Sequence, residues 1–229
     1  MNSNDKPLWY SPVRVLYDYT ALVSLHGADI IHEKRKYKKV IEARAVAALC
    51  LGLYETTGHP WFMQMSSIDP PDSVIMRLSP NDTGTLEKVR IEVTGYFQHN
   101  GVQPKETLLE QLKKTKIFSS HHKYDATYAI LVEVGYGYEI DYWEIHTYLN
   151  SIDAPYQVWI IQYTSYVPDT IIQIATCTHG YGIKKINISQ SANSFINKVG
   201  INSMLAARVG NIGNGNYERS APVTKAVWE

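Results

Sequence analysis

The sequence predicts an α/β fold with a central mixed sheet flanked by helices. Three observations carry that prediction. Residues 40–51 are rich in alanine and leucine and free of glycine and proline, which marks a helix. Two short apolar runs, 73–78 and 89–93, flank the turn formers Ser79-Pro80-Asn81-Asp82-Thr83-Gly84, which marks a hairpin. The run Tyr128-Ala129-Ile130-Leu131-Val132 is continuously apolar, as suits a strand covered on both faces.

The elements follow in order. A helix is expected over about 33–54, ended by Gly58 and Pro60. Residues 61–65 read as a first strand, and the hairpin supplies the second and third. A loop spans 95–103, and Pro104 stands where a helix would begin. Residues 105–117 place Leu108, Leu109, Leu112 and Lys116 at helical spacing. The strand at 128–132 then completes a strand–helix–strand succession, which suggests a right-handed crossover between parallel strands. Residues 141–150 read as a short helix. Residues 158–161 and 170–174 read as two strands, with Pro168-Asp169 punctuating the turn between them. From Ser189 asparagine and serine become frequent. Residues 195–208 read as a helix weakened by Gly200, and 210–229 as a tail. The expected organisation is therefore an α/β domain over 1–188 and a C-terminal tail or oligomerisation arm over 189–229. No internal repeat is present.

Composition narrows the class. The chain has 229 residues, 45% of them hydrophobic, which is ample for a core, and 19% charged. Lysine plus arginine and aspartate plus glutamate both number 22, so a zero net charge gives no support for a general polyanion binder, although local patches still count. Two cysteines, Cys50 and Cys177, make no disulfide framework, and a reducing cytoplasmic setting is the default. Residues 1–7 lack an apolar signal region, and no apolar run is long enough to span a bilayer. A soluble protein with no membrane partner is expected.

The chemistry concentrates in the hairpin. Asp72 follows Pro70-Pro71 and opens the first hairpin strand, while Glu92 interrupts the apolar second strand. Two carboxylates brought together on a sheet suit a divalent cation, because hard cations prefer oxygen ligands. The ordinary alternatives are a turn aspartate and an edge-strand glutamate facing water. Glu42 shares a helix face with Val46, Leu49 and Leu53, where a carboxylate is costly unless paired; Lys38 and Lys39 are its ordinary partners one turn away. Gln64 is a lesser candidate on the first strand. Two basic groups, 34–39 and Lys113, Lys114, Lys116 and Lys123, offer phosphate contacts or simply solvated faces. His121-His122 are read as loop residues, and the glycine-rich 210–216 fails the context test for a phosphate loop.

This order, with Pro71-Asp72 and Glu92-Val93-Thr94 so placed, resembles the PD-(D/E)XK nuclease superfamily, the restriction-endonuclease-like fold. The resemblance covers about 33–174. In that family an aspartate opens the second core strand, and an acidic residue and a lysine stand two apart on the third. Asp72 and Glu92 match the two acids, Pro71 matches the preceding proline, and Glu42 matches an accessory acid of the first helix. Thr94 occupies the lysine position, a departure that leaves cleavage dependent on a lysine or arginine from elsewhere. Lys88, Arg90, Lys105 and Lys113 are the candidates. The resemblance implies Mg²⁺ or Mn²⁺ held by Asp72, Glu92 and the backbone carbonyl of Val93, a DNA substrate, phosphodiester hydrolysis, and a homodimer. Its alternative is a module that keeps the nuclease fold for binding or assembly without catalysis.

Overall fold

The structure is a computed structural model that describes residues 8–66, 71–78, 86–97, 104, 106–117, 124–165, 169–199, 207–208 and 218–219. It is α/β. Seven strands form a mixed sheet: β2 (Phe62–Met65), β3 (Ser73–Leu78), β4 (Leu86–Tyr96), β5 (Tyr128–Val134), β6 (Gln157–Ser165), β7 (Ile171–Thr176) and β8 (Gly182–Asn187), hydrogen-bonded in that order. β5 and β6 run parallel, while β2–β3, β3–β4, β6–β7 and β7–β8 are antiparallel. The chain divides into two compact units, residues 1–91 with 188–229, and residues 92–187, with the boundary inside β4.

The first unit is organised by α3 (Lys38–Thr57). Alanine and leucine dominate its middle, which from Ala43 to Gly52 is buried throughout. Gly58 ends it in the left-handed conformation at φ 70°, its N–H donating to the Tyr54 carbonyl, a geometry that glycine adopts without strain. α6 (Ile188–Val199) lays Phe195 edge-on against Tyr54 and Phe62, at centroid distances of 5.3 and 6.0 Å. Phe195 is fully buried, and that burial contributes on the order of 2–3 kcal/mol. α1 (Pro12–His26) begins at Ser11, whose hydroxyl accepts from the Arg14 N–H, with Pro12 in the first turn. α2 (Ala28–Glu33) follows. β1 (Leu8–Trp9), β9 (Ala207–Arg208) and β10 (Glu218–Arg219) form a small antiparallel sheet.

The second unit has its own core. Ile130, Val132 and Val134 of β5 and Val158 and Ile160 of β6 meet Leu108, Leu109 and Leu112 of α4 (Leu108–Leu112) and Ile145 and Leu149 of α5 (Tyr142–Ser151). α4 carries a capping box, with Thr107 and Glu110 satisfying each other's backbone N–H groups. Asp141 caps α5 by accepting from the Glu144 N–H. Tyr142 donates to Gln162 inside the unit, and burial pushes its phenol up to about 12.

Several elements depart from the expected ones. α1 was absent from the expectation because it is rich in β-branched and aromatic residues, which are weak helix formers; its signal is the Ser11-Pro12 cap. The central helix starts at Lys38, not near Glu33, since Lys34 is extended (φ −87°, ψ 123°) and Arg35–Tyr37 make only a 3₁₀ turn. The helix expected over 105–117 is α-helical only for Leu108–Leu112 and continues as a π-helical turn, Lys113–Ile117. β8 lacks apolar alternation, and only Ile186 of it is buried, so its pairing with β7 left no sequence pattern. The last helix is Ile188–Val199 rather than 195–208, and Arg208 lies in β9. Pro168, Gly200 and most of 210–229 lie outside the described residues.

Candidate functional site

In the first unit, the backbone fixes Asp72 before its side chain does anything. Its N–H donates to the Ile91 carbonyl and its own carbonyl accepts from Ser66, both at 3.0 Å. β3 pairs with β4 from Ser73 against Ile91 onward. The Asp72 carboxylate is thereby buried, and Oδ1 accepts from Lys39 Nζ at 3.0 Å. The same ammonium lies 3.3 Å from Glu42 Oε2, and Lys38 Nζ lies 3.1 Å from Glu42 Oε1. Helical spacing explains both contacts, because Lys38 and Lys39 sit four and three residues before Glu42. The two ammonium groups are what offset the burial of Glu42.

The electrostatics follow from this crowding. Burial raises the Glu42 carboxyl above the usual range, and the Asp72 charge raises it further; Lys38 and Lys39 offset only part. Burial lowers Lys39, but its hydrogen bond to Asp72 and the two carboxylates outweigh that, so its pKa lies above 10.5. The structure thus brings Glu42 and Asp72 together around one lysine.

Glu92 lies in the second unit, on the far part of β4. It is buried, and Oε1 accepts from Lys116 Nζ at 2.7 Å. Lys116 is itself largely buried and stands on the π-helical turn after α4. A π-turn widens the helix and re-aims the side chains on it, and such turns recur at functional positions. Glu92 Oε2 is buried and has no hydrogen-bond partner among the described residues.

The remaining candidates are placed as follows. Thr94 and Val93 are half-buried on β4. Lys88 reaches over the Trp9 ring at 5.8 Å, and Arg90 is exposed, opposite Val74 in the register. Lys113 lies over the Tyr148 ring at 3.9 Å, and Lys114 pairs with Glu106 at 3.0 Å. Lys105, His121, His122 and Lys123 lie outside the described residues. Gln64 is half-buried on β2, where its carbonyl accepts from Ser73.

Two residues escaped the sequence reading. In the sequence Lys116 reads only as a helical position and a member of a basic run, and the π-turn on which it stands has no sequence mark. Glu133 is almost fully buried on β5, and its signal was an acid within an apolar strand. Among the described residues, no three or more His, Cys, Asp or Glu side chains converge as a metal cage. The metal expectation therefore rests on carboxylate pairs and on the unsatisfied Oε2 of Glu92. No protein-family model, curated protein or solved structure matches the chain.

Proposed function

We propose that the protein is a metal-dependent nuclease, or a nuclease-like protein, acting on DNA phosphodiester bonds. The observation that carries the reading is Glu92: a buried strand carboxylate with one oxygen on a largely buried lysine and the other without a hydrogen-bond partner among the described residues. A buried polar atom left unsatisfied costs stability, and such an atom is retained where a ligand completes it. The succession α3, β2, β3, β4, α4, β5 also follows the order of the PD-(D/E)XK core, with Asp72 and Glu92 at the acidic positions.

The donor set is made of hard oxygens and fits Mg²⁺ or Mn²⁺. The resemblance assigns Asp72, Glu92 and the Val93 carbonyl to the ion, which would supply Lewis acidity toward phosphate and water. The chain's own groups do the rest. Lys116 anchors Glu92 by its hydrogen bond and brings a basic side chain to the acid, which Thr94 does not provide. Such a side chain, when protonated, stabilises a phosphate as negative charge develops on it. Lys39 orients Asp72, and Glu42 is the accessory acid beside it.

A second reading, a catalytically inactive binding or assembly module, is favoured by one observation: Asp72, Glu42 and Glu92 each already have a lysine partner. Buried, reduced Cys50 and Cys177 agree with a cytoplasmic setting, and among the described residues no helix is long and apolar enough to cross a membrane. Cleavage of plasmid and single-stranded DNA with Mg²⁺ and Mn²⁺ decides between the two readings. Loss of cutting in Asp72→Ala, Glu92→Ala and Lys116→Ala is expected for the nuclease. Wild-type inactivity on both substrates transfers the assignment to the module.

A further inference from the structure

The second unit carries an aromatic group that the carboxylate chemistry leaves unused. Trp143 of α5 is 59% exposed and Tyr181, just before β8, is 42% exposed. With His146 they form a closed set, the three ring-centroid distances lying between 5.1 and 5.2 Å. Trp143 and Tyr181 meet edge to face at 88°, and His146 is tilted by 41° and 48° to them. Trp143 and Tyr181 keep much of their ring surface open to solvent despite these contacts. The group is held in place from below. His146 Nδ1 lies 3.1 Å from the Cys177 carbonyl, and since a carbonyl only accepts, the ring donates there. The turn that presents Tyr181 is sharply bent, with His179 at φ 53° and Gly180 at φ 138°.

Charge continues the surface. β8 pairs Ile183 with Ala175 and Lys185 with Gln173. Ala175 belongs to the core beneath α5, so Ile183 and Lys185 stand on the same face of the sheet as the rings. Both are exposed. The formal charge of the whole chain is zero, yet no aspartate or glutamate occurs between Asp169 and Glu218, a stretch that holds Lys184, Lys185 and Lys198. β8 therefore sets Lys185 beside the exposed rings.

We infer that Trp143, His146 and Tyr181, with Lys185, form a base-stacking platform for single-stranded nucleic acid. Exposed rings take unpaired bases, whose π-faces a duplex hides, and the lysine takes the adjoining phosphate. The inference deepens the nucleic-acid reading by naming the strand state of the bound segment, and it rests on that reading for the class of ligand. Its test is independent of cleavage.

Binding of a fluorescent oligothymidylate is measured in EDTA, so that no cutting occurs, with an abasic oligonucleotide of equal length and a duplex as comparisons. Oligothymidylate is expected to bind more tightly than both. Trp143→Ala and Tyr181→Ala each weaken it about tenfold, from stacking of 1–3 kcal/mol per base. Trp143→Phe, which keeps a ring, retains most of the affinity and covers the case in which the alanine variant misfolds. Lys185→Ala lowers the salt slope by roughly 0.7. Equal affinity for the abasic strand, or Trp143→Ala and Trp143→Phe both binding as wild type, overturns the inference. So does a wild-type dimer that dissociates on ring substitution while oligonucleotide binding is unchanged. If cleavage is absent but ring-dependent binding persists, the nuclease reading fails and the platform stands.

Discussion

Glu42 and Asp72 share one lysine that reaches in from solvent, whereas Glu92 holds a lysine that is itself largely buried. The side chains of Lys38 and Lys39 are 64% and 40% exposed; that of Lys116 is 13% exposed. In the first group two carboxylates face two partly exposed cations, and burial with the neighbouring Asp72 charge raises the Glu42 carboxyl. In the second, a single pair meets at 2.7 Å, and the other Glu92 oxygen has no hydrogen-bond partner among the described residues. The first arrangement shares its cations between two acids; the second gives one acid a cation of its own.

The contrast breaks most visibly at Lys116. Removing one partner of a buried ion pair leaves an uncompensated charge and costs about 3–5 kcal/mol, while replacing both partners with apolar groups costs far less. Lys116→Met is therefore expected to lower the urea midpoint sharply, and Glu92→Leu/Lys116→Met to recover most of the loss. A single variant within about 0.5 kcal/mol of wild type would show that water reaches the pair and that the two groups are alike after all.

The pH response sharpens the difference next. Because folding raises the Glu42 pKa, the folded state binds more protons than the unfolded one in the window above 4.5. Its contribution therefore falls as pH rises through that window. Measured against Glu42→Gln, the wild type loses stability as pH climbs from about 4.5. Asp72→Asn removes one of the charges that raise Glu42, and the slope against the matching double variant becomes shallower. A flat difference between wild type and Glu42→Gln across that range contradicts the shared-lysine account.

These contrasts were only partly legible in the sequence. The hairpin, β2, the doubly covered β5 and the middle of α3 were readable because burial imposes a period or an apolar run on the residues. The same logic flagged Glu42 and Glu92 as charges in apolar company, and it named Lys38 and Lys39 as partners because helical spacing is local. Lys116 was out of reach. Its link to Glu92 spans 24 residues and passes through a π-turn, neither of which leaves a pattern in the chain. β8 and the ring group were hidden for a related reason: an edge strand with exposed lysines buries too little to be patterned, and Trp143 and Tyr181 meet only after β7 and α5 are in place.

The smallest expected effect is the most selective. Lys38 contacts Glu42 at 3.1 Å but its side chain is mostly in water, and exposed pairs contribute about 0–1 kcal/mol. Lys38→Ala should therefore move the denaturation midpoint slightly, with the change vanishing at high salt, where exposed charges are screened. Lys39→Ala removes the cation that two carboxylates share, so its effect should be larger and persist in salt. If the two substitutions match in size and in salt dependence, Lys39 is not the hinge of the group, and Asp72 and Glu42 are held apart by backbone alone. A clear excess for Lys39 means that the acids are clamped by a charge which a competing divalent cation would have to displace. In that case Mg²⁺ binding should tighten in Lys39→Ala relative to wild type, as calorimetry would register.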